Sequence, residues 1–457
     1  MIEERFEFTS AAQRRLIIYG VIGLVLLVIG IFSVMNSAGH HEAEGHASAA
    51  DTPNTEVVAM TVSQEQDDHA DQEDHADEAH ADAAHEEGGH HGSPTWIKRL
   101  KANLWINNVF FAGLALIGVF FVAIQYVAQA GWSAPFKRVP LAFGTWLPIA
   151  GILMLVIWLL SSHDLFHWTH ASLYDPASPD YDAIIDGKKA YLNTPFYLAR
   201  MIIYFGLWYF FFRWIRKEML AEDLSGSTQH WRKLIGISAG FIVIFGISSS
   251  MSAWDWILSI DTHWFSTMIG WYVFASWWVT GLALITLIVV VLKENGYLSI
   301  VTSDHLHDLG KFVFGFSVFW TYIWLSQYLL IYYANIPEES VYFFERLNSD
   351  QYAPVFYIIL IMNFFFPFLF LMTRDAKRHM IWLKIACIVV IFGHWLDFYL
   401  MVTPGTMKED GGFGFMEIGM AMIFGSAFLF VVLKGLSKMP LVAKNHPLLE
   451  EAMHHHI

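Results

Sequence analysis

The chain contains almost no cysteine. Its single cysteine, Cys387, lies within an apolar run of the 457 residues. One cysteine excludes an internal disulfide, a Cys-x-x-Cys-His haem c attachment and an iron–sulfur cluster ligated by this chain alone. The sequence also lacks a Walker-type Gly-Lys-Ser/Thr loop and a Gly-x-Gly-x-x-Gly fingerprint, so it shows no nucleotide-binding motif. If electrons pass through this protein's assembly, we expect their metal centres on other chains.

Positive charge is missing from residues 37–95, which contain fifteen Asp and Glu and no Lys or Arg. This segment alone accounts for the formal net charge of −15, so the rest of the chain is balanced and offers no basic surface for nucleic acid. The segment also has nine His, and its composition predicts a disordered, solvated loop. His-rich tracts can bind zinc or copper, but the irregular spacing and the lack of Cys favour a weakly chelating tether.

Apolar residues, in contrast, make up 55% of the chain. A hydrocarbon core of about 30 Å requires about 20 apolar residues in a helix, and ten segments reach that length. They lie near 16–35, 104–129, 141–162, 196–212, 234–254, 266–292, 312–334, 353–372, 381–402 and 414–434. Because backbone groups in lipid must pair within their own segment, these predict an all-α integral membrane protein, with two four-helix bundles plus peripheral helices.

The spans divide the chain into an N-terminal anchor helix (1–36), the acidic loop (37–95), a helical membrane domain (96–435) and a C-terminal tail (436–457). The first apolar run is longer than a usual signal-peptide core, which predicts an uncleaved anchor. A topology with both termini inside places eighteen Lys and Arg in inner segments and eight in outer ones. This asymmetry predicts that both termini are cytoplasmic.

Three ionisable residues fall inside predicted spans at similar depth. His394 and Asp397 are three residues apart in the ninth span and share one helix face. Glu417, on the oppositely directed tenth span, is expected at nearly the depth of Asp397. Because charged groups in a bilayer cost at least about 2.5–3.5 kcal/mol each, they need partners or water. The three are either polar contacts that pin helices together or a proton relay.

A second group of acidic and imidazole side chains is predicted at the outward ends of the third and fifth spans. It comprises His163, Asp164, Asp255 and His263, and several Trp lie among them. Oxidation of a quinol requires groups that accept two protons beside an apolar wall. We therefore predict a quinone site or a proton exit here, with interfacial capping as the alternative for each residue.

Four other polar residues lie near the middle of predicted spans: Tyr322, Gln327, Tyr357 and Asn363. They indicate either a hydrated path or hydrogen bonds between helices. Haem b is disfavoured, because it needs facing His pairs and only His394 lies well inside a span. The outward segments 162–195 and 336–352 are expected to be docking surfaces for partner subunits.

Two long motifs resemble a known family. Residues 254–264 read Trp-Asp-Trp-Ile-Leu-Ser-Ile-Asp-Thr-His-Trp, and residues 319–339 begin Phe-Trp-Thr-Tyr-Ile-Trp-Leu-Ser-Gln-Tyr. Together they resemble the NrfD-like integral membrane subunits of bacterial alternative complex III, over residues 96–435. The anchor followed by a His- and acid-rich loop is most similar to the ActF subunit of that family rather than to ActC.

The resemblance implies a menaquinol-oxidising complex of the bacterial inner membrane that delivers electrons to a cytochrome c or an oxidase. Its partners would be a multihaem cytochrome c and iron–sulfur subunits with their centres at the outer face, a second NrfD-like subunit, in some cases a terminal oxidase, and lipids. Such subunits carry no haem or iron–sulfur cluster, and the ActF-like one is proposed to conduct protons or to hold a second menaquinone site. The family's ActC quinol residues are not matched one by one here.

A different class of function also remains open, namely a transporter of a divalent metal or another ion with the His-rich loop as a collecting tether. A transporter would place several His, Asp or Glu ligands at one mid-membrane level. In this sequence only one His, His394, comes close to that level.

Overall fold

The computed structural model describes residues 4–48 and 93–456, with side chains for 4–36 and 93–456. Within these residues the chain is helical without a β-strand, and ten helices are long and apolar enough to cross a membrane. We number them α1 to α10: Ser10–Asn36, Thr95–Val127, Arg138–Leu165, Thr194–Ser225, Thr228–Ile260, Ile269–Glu294, Ser303–Ala334, Ala353–Phe370, Met380–Asp410 and Phe415–Leu436. All ten predicted spans and the all-α membrane class are confirmed.

The helix of α1 itself continues to Ser48, into the segment that the sequence assigned to the acidic loop. The rest of that predicted loop, up to residue 92, lies outside the described residues.

Helices α2 to α5 form the first four-helix bundle. Helix α2 packs against α3 and α5, and α4 packs against the same two, which closes a ring. Because α2 also contacts α6, α9 and α10, it is buried along nearly its whole length. This central position explains why most of its residues are apolar on every side of the helix.

Helices α6 to α9 form the second bundle, in which α6 packs against α7 and α9 and α8 joins these two on the other side. Helices α1 and α10 pack along each other outside the bundles. Glycines allow this close approach, since a Cβ at Gly23 would lie 2.8 Å from the carbonyl oxygen of Gly419. The arrangement is the predicted one of two four-helix bundles plus peripheral helices.

Two helices of the second bundle depart from regular α-helical hydrogen bonding. Helix α8 includes a π-helical turn at Ile361–Phe365, a feature often found at functional sites. Helix α9 contains Pro404. Since proline has no N–H, the carbonyl of Leu400 loses its normal partner within the helix.

Ten spans place both chain ends at the same end of the protein, which we call the terminal face. The opposite end, which we call the loop face, carries the connections 166–193 and 261–268 and the helix Pro337–Asn348. The assignment of the terminal face to the cytoplasm stays a prediction from the distribution of Lys and Arg.

Candidate functional site

A polar cluster lies inside the second bundle, where α6, α7, α8 and α9 meet. The carboxylate of Asp397, which is 1% exposed, accepts three hydrogen bonds. The donors are the hydroxyl of Tyr272, Ser276 Oγ at 2.9 Å and the indole nitrogen of Trp320 at 3.1 Å. All three donors are neutral, so they satisfy the oxygens of Asp397 without neutralising a charge on it.

His394 lies one helical turn before Asp397 and is fully buried. Its Nδ1 is 2.9 Å from Ser276 Oγ and 3.8 Å from Asp397 Oδ2. The amide of Asn363, from the π-helical turn of α8, lies 3.4 Å from the same nitrogen. The ring also meets the indole of Trp320 edge to face, with centroids 5.2 Å apart.

These contacts allow two arrangements at the imidazole, because Nδ1 faces both the hydroxyl of Ser276 and the amide nitrogen of Asn363. The relay uses the one in which Nδ1 donates to Ser276. Ser276 has one hydroxyl proton, and when it donates that proton to Asp397 it can only accept from His394. His394 then carries its proton on Nδ1. Its other nitrogen, Nε2, is buried and has no hydrogen-bond partner among the described residues, so its lone pair is free to accept a proton.

A cavity of about 20 Å³ separates this cluster from the loop face. That volume is enough for a water molecule. Its walls include the polar residues Tyr272, Gln327, Tyr342 and Arg346. Because the hydroxyl of Tyr272 donates to Asp397, a water in this cavity would lie one side chain away from the buried carboxylate.

Glu417 is bound in a different cluster, at the loop-face start of α10. Arg99 donates to its two oxygens from Nε at 2.6 Å and from Nη2 at 2.7 Å. Asn103 and the backbone N–H of Gly414 complete its hydrogen bonds at 2.9 and 2.7 Å. The structure therefore brings His394 and Asp397 together but joins Glu417 to Arg99, and a proton-carrying role for Glu417 stays a prediction.

The two histidines predicted for a quinone site or proton exit are at the loop face. His163 Nδ1 lies 3.2 Å from Thr169 Oγ1, and His263 Nε2 lies 2.5 Å from Asp182 Oδ2. The pKa of Asp182 is lowered: burial raises it, but the backbone N–H of Ile185 and the side chain of His263 outweigh that effect. Both histidine rings are in contact with the connection 166–193 rather than with each other.

The two carboxylates of that group are each paired with a cation. Asp255 is bound by Arg200 through two hydrogen bonds of 2.8 Å, and Asp164 accepts from Lys101. In the described part of the chain, none of the four predicted residues is hydrogen-bonded to another of the four. Their assignment to a quinone site or proton exit stays a hypothesis.

The sequence analysis missed three members of the central cluster, namely Tyr272, Ser276 and Trp320. A signal was present, because Tyr272 and Ser276 stand four residues apart in an otherwise apolar span and so share a helix face. Of the four polar residues named near mid-membrane, Asn363 contacts His394 and Gln327 lines the cavity. The other two, Tyr322 and Tyr357, are more than half exposed and point away from the cluster.

The fold and the cluster together define a class: a multi-pass α-helical membrane protein with a buried His–Ser–Asp–Tyr chain of hydrogen bonds. The chain matches no family model and no curated protein sequence. The motif at 319–339 supplies Trp320 and Gln327 to the site and its cavity, and the motif at 254–264 ends at the loop face. Among the residues with described side chains, no group of three His, Cys, Asp or Glu is placed to hold a metal ion.

Proposed function

We propose that this chain is the membrane subunit, without redox metal of its own, that conducts protons in a menaquinol-oxidising respiratory complex of the alternative complex III type. The proton role is supported by one observation, the continuous hydrogen-bonded chain from His394 through Ser276 and Asp397 to Tyr272. The respiratory role is supported by the two motifs that resemble NrfD-like subunits. Its electron carriers would then belong to partner subunits.

In this proposal the proton moves along groups that each donate and accept. A proton arriving at Nε2 of His394 makes an imidazolium, which releases its Nδ1 proton to Ser276 as the hydroxyl passes its own proton to Asp397. Ser276 delivers the proton to Oδ2, and rotation of the carboxylic acid brings it to the side of Tyr272. The acid then donates to the oxygen of Tyr272 as that hydroxyl passes its own proton to water in the cavity. Tautomer exchange of the imidazole and rotation of the carboxylate and of the Ser276 and Tyr272 hydroxyls restore the starting arrangement.

The relay is tested by Asp397→Asn in the assembled complex. Asn keeps the size of the side chain but cannot take up a proton, so we expect proton movement coupled to quinol oxidation to fall by on the order of tenfold or more. Tyr272→Phe should slow it to a smaller extent. The matched control is Tyr204→Phe, because the buried hydroxyl of Tyr204 has no partner in the described residues and lies outside the cluster. Unchanged proton movement in Asp397→Asn would remove the relay.

The respiratory assignment is tested by gentle purification of the chain from its native membrane, followed by identification of its partners and of extracted quinone. We expect a multihaem cytochrome c, iron–sulfur subunits, a second NrfD-like subunit and menaquinone. Purification of the chain alone, without any redox subunit, would contradict the assignment.

A further inference from the structure

Arg346 lies in the helix Pro337–Asn348 and is buried between the central cluster and the loop face. Arg346 forms part of the wall of the cavity, and its guanidinium stacks 3.3 Å above the ring of Tyr342. A cation in the wall opposes entry of a proton into this part of the cavity.

The guanidinium is held mainly by backbone carbonyls. It donates to the oxygens of Leu400 at 3.1 Å, of Tyr342 at 2.8 Å and of Met401 at 3.3 Å. The first of these oxygens is available because Pro404, four residues later, has no N–H to offer it. The proline in α9 thus leaves the carbonyl of Leu400 available to bind Arg346.

Two carboxylates near Arg346 bind it only weakly. Glu345 Oε2 lies 4.0 Å from Nη1. Asp261 Oδ2 lies 3.4 Å from Nη2, at the long limit for a hydrogen bond, and its side chain is 21% exposed. A second buried arginine at the loop face offers a contrast, because Arg200 holds Asp255 by two bonds of 2.8 Å. Arg346 is therefore bound by neutral carbonyls and has two incompletely engaged carboxylates, Asp261 and Glu345, beside it.

We propose that Arg346 is a gate at the loop-face end of the cavity. In the closed state the guanidinium is bound to the carbonyls near Pro404, as seen here, and its positive charge opposes passage of a proton between the cavity and the loop face. In the open state it leaves the carbonyls and pairs fully with Asp261. The role of the gate in proton conduction depends on the proposed function, but its effect on access to the cavity does not.

The gate is tested by the reactivity of a cysteine placed in the cavity wall. The full chain in isolated membranes carries Cys387→Ser, which removes the buried native thiol, and Gln327→Cys as the reporter. The probe is sulfonatoethyl methanethiosulfonate, a membrane-impermeant anion. We expect slow labelling with Arg346 in place and labelling at least tenfold faster in Arg346→Met.

Two further variants protect the test against simple misfolding. Pro404→Ala retains Arg346 but gives the Leu400 carbonyl an N–H partner within the helix. Arg346 then binds this carbonyl less tightly, so labelling should rise by a smaller factor than in Arg346→Met. Because alanine is the better helix former, this rise would not come from a less stable helix. The double variant Arg200→Met/Asp255→Asn removes the other buried arginine at the loop face together with its carboxylate, and should leave labelling at position 327 unchanged. Equal labelling rates with and without Arg346, or an equal rise in this double variant, would overturn the gate.

The outcomes also separate the gate from the relay. Labelling reports access of a reagent and needs no proton movement, so the gate can be confirmed even if Asp397→Asn conducts normally. Conversely, if Arg346→Met leaves proton movement unchanged, the role of Asp397 in the relay is not affected.

Discussion

At the scale of single residues, the contact between His394 and Asn363 depends on a missing side chain. Gly393 precedes His394, and a Cβ at this position would lie 2.1 Å from Asn363 Oδ1 and 2.8 Å from the Cβ of Met362. Neither distance is compatible with normal packing. The π-helical turn that carries Asn363 can therefore approach α9 only because residue 393 is glycine.

We predict that Gly393→Ala destabilises the protein by about 1–3 kcal/mol, the usual cost of overpacking, and displaces Asn363 from His394. The control is Gly246→Ala in α5, where a Cβ would meet no atom within 4 Å. That variant should be neutral or more stable by up to about 1 kcal/mol, because alanine is the better helix former. Thermal unfolding of both detergent-solubilised variants gives the comparison, and equal melting temperatures would contradict the prediction.

The residue scale also shows what the sequence could predict about the site. The spacing of His394 and Asp397 was sufficient to predict that they meet, because a helix fixes the positions of residues three apart. Counting residues predicts a depth for Glu417 but not its lateral neighbour, and Arg99 precedes the predicted second span at 104–129. Trp320 could not be singled out, since nothing in its local sequence distinguishes a hydrogen-bonded indole from one that faces lipid.

At the scale of helices, the start of α10 is fixed to α2 by the pair of Glu417 and Arg99. Glu417 is completely buried and also accepts from the backbone N–H of Gly414 at its own helix start. A carboxylate near a helix N-terminus is favoured by the unpaired N–H groups there. These contacts are sufficient to explain why an acidic residue is buried here, and the explanation needs no role in proton movement.

We therefore predict that Arg99→Met costs about 3–5 kcal/mol of unfolding free energy, because it leaves a buried carboxylate without its cation. The double variant Arg99→Met/Glu417→Gln should recover a large part of that loss, since the remaining amide is neutral. As a control, Lys384→Met removes the partially exposed pair with Glu294, which should cost less than about 1 kcal/mol. Denaturant unfolding in detergent measures all three, and a double variant no more stable than Arg99→Met would argue against the pair.

Helix positions could be predicted from hydropathy, but helix lengths could not. The fourth span was predicted at 196–212, whereas the helix covers Thr194–Ser225. Hydropathy follows the thickness of the lipid, and the helix continues beyond it with polar residues such as Arg216 and Glu218. The π-helical turn in α8 could not be predicted from the sequence either, because no residue type marks the insertion of one extra residue in a helical turn.

At the scale of the whole molecule, the C-terminal tail closes the terminal face. Residue Leu441 donates its backbone N–H to the carbonyl of Glu4, so the two ends of the chain are joined. Further along the tail, His446 Nε2 lies 2.9 Å from the ammonium of Lys137, and both side chains are buried. Burial and the neighbouring cations Lys137 and Arg138 lower the pKa of His446 to about 3.

This shift predicts that attachment of the tail depends on pH. Once detached, His446 would regain its ordinary pKa near 6.5, so the detached state binds more protons between pH 6.5 and about 3. Attachment is therefore unaffected by this group above pH 6.5, weakens by up to about 1.4 kcal/mol for each pH unit below it, and levels off near pH 3.

Hydrogen exchange of residues 439–456 measures the effect. His446→Gln, which keeps a hydrogen-bonding side chain but does not titrate, should remove the difference in protection between pH 6.5 and pH 4.5 that wild type shows after correction for intrinsic exchange. If both proteins lose protection in parallel, the acid sensitivity of the tail arises from other groups.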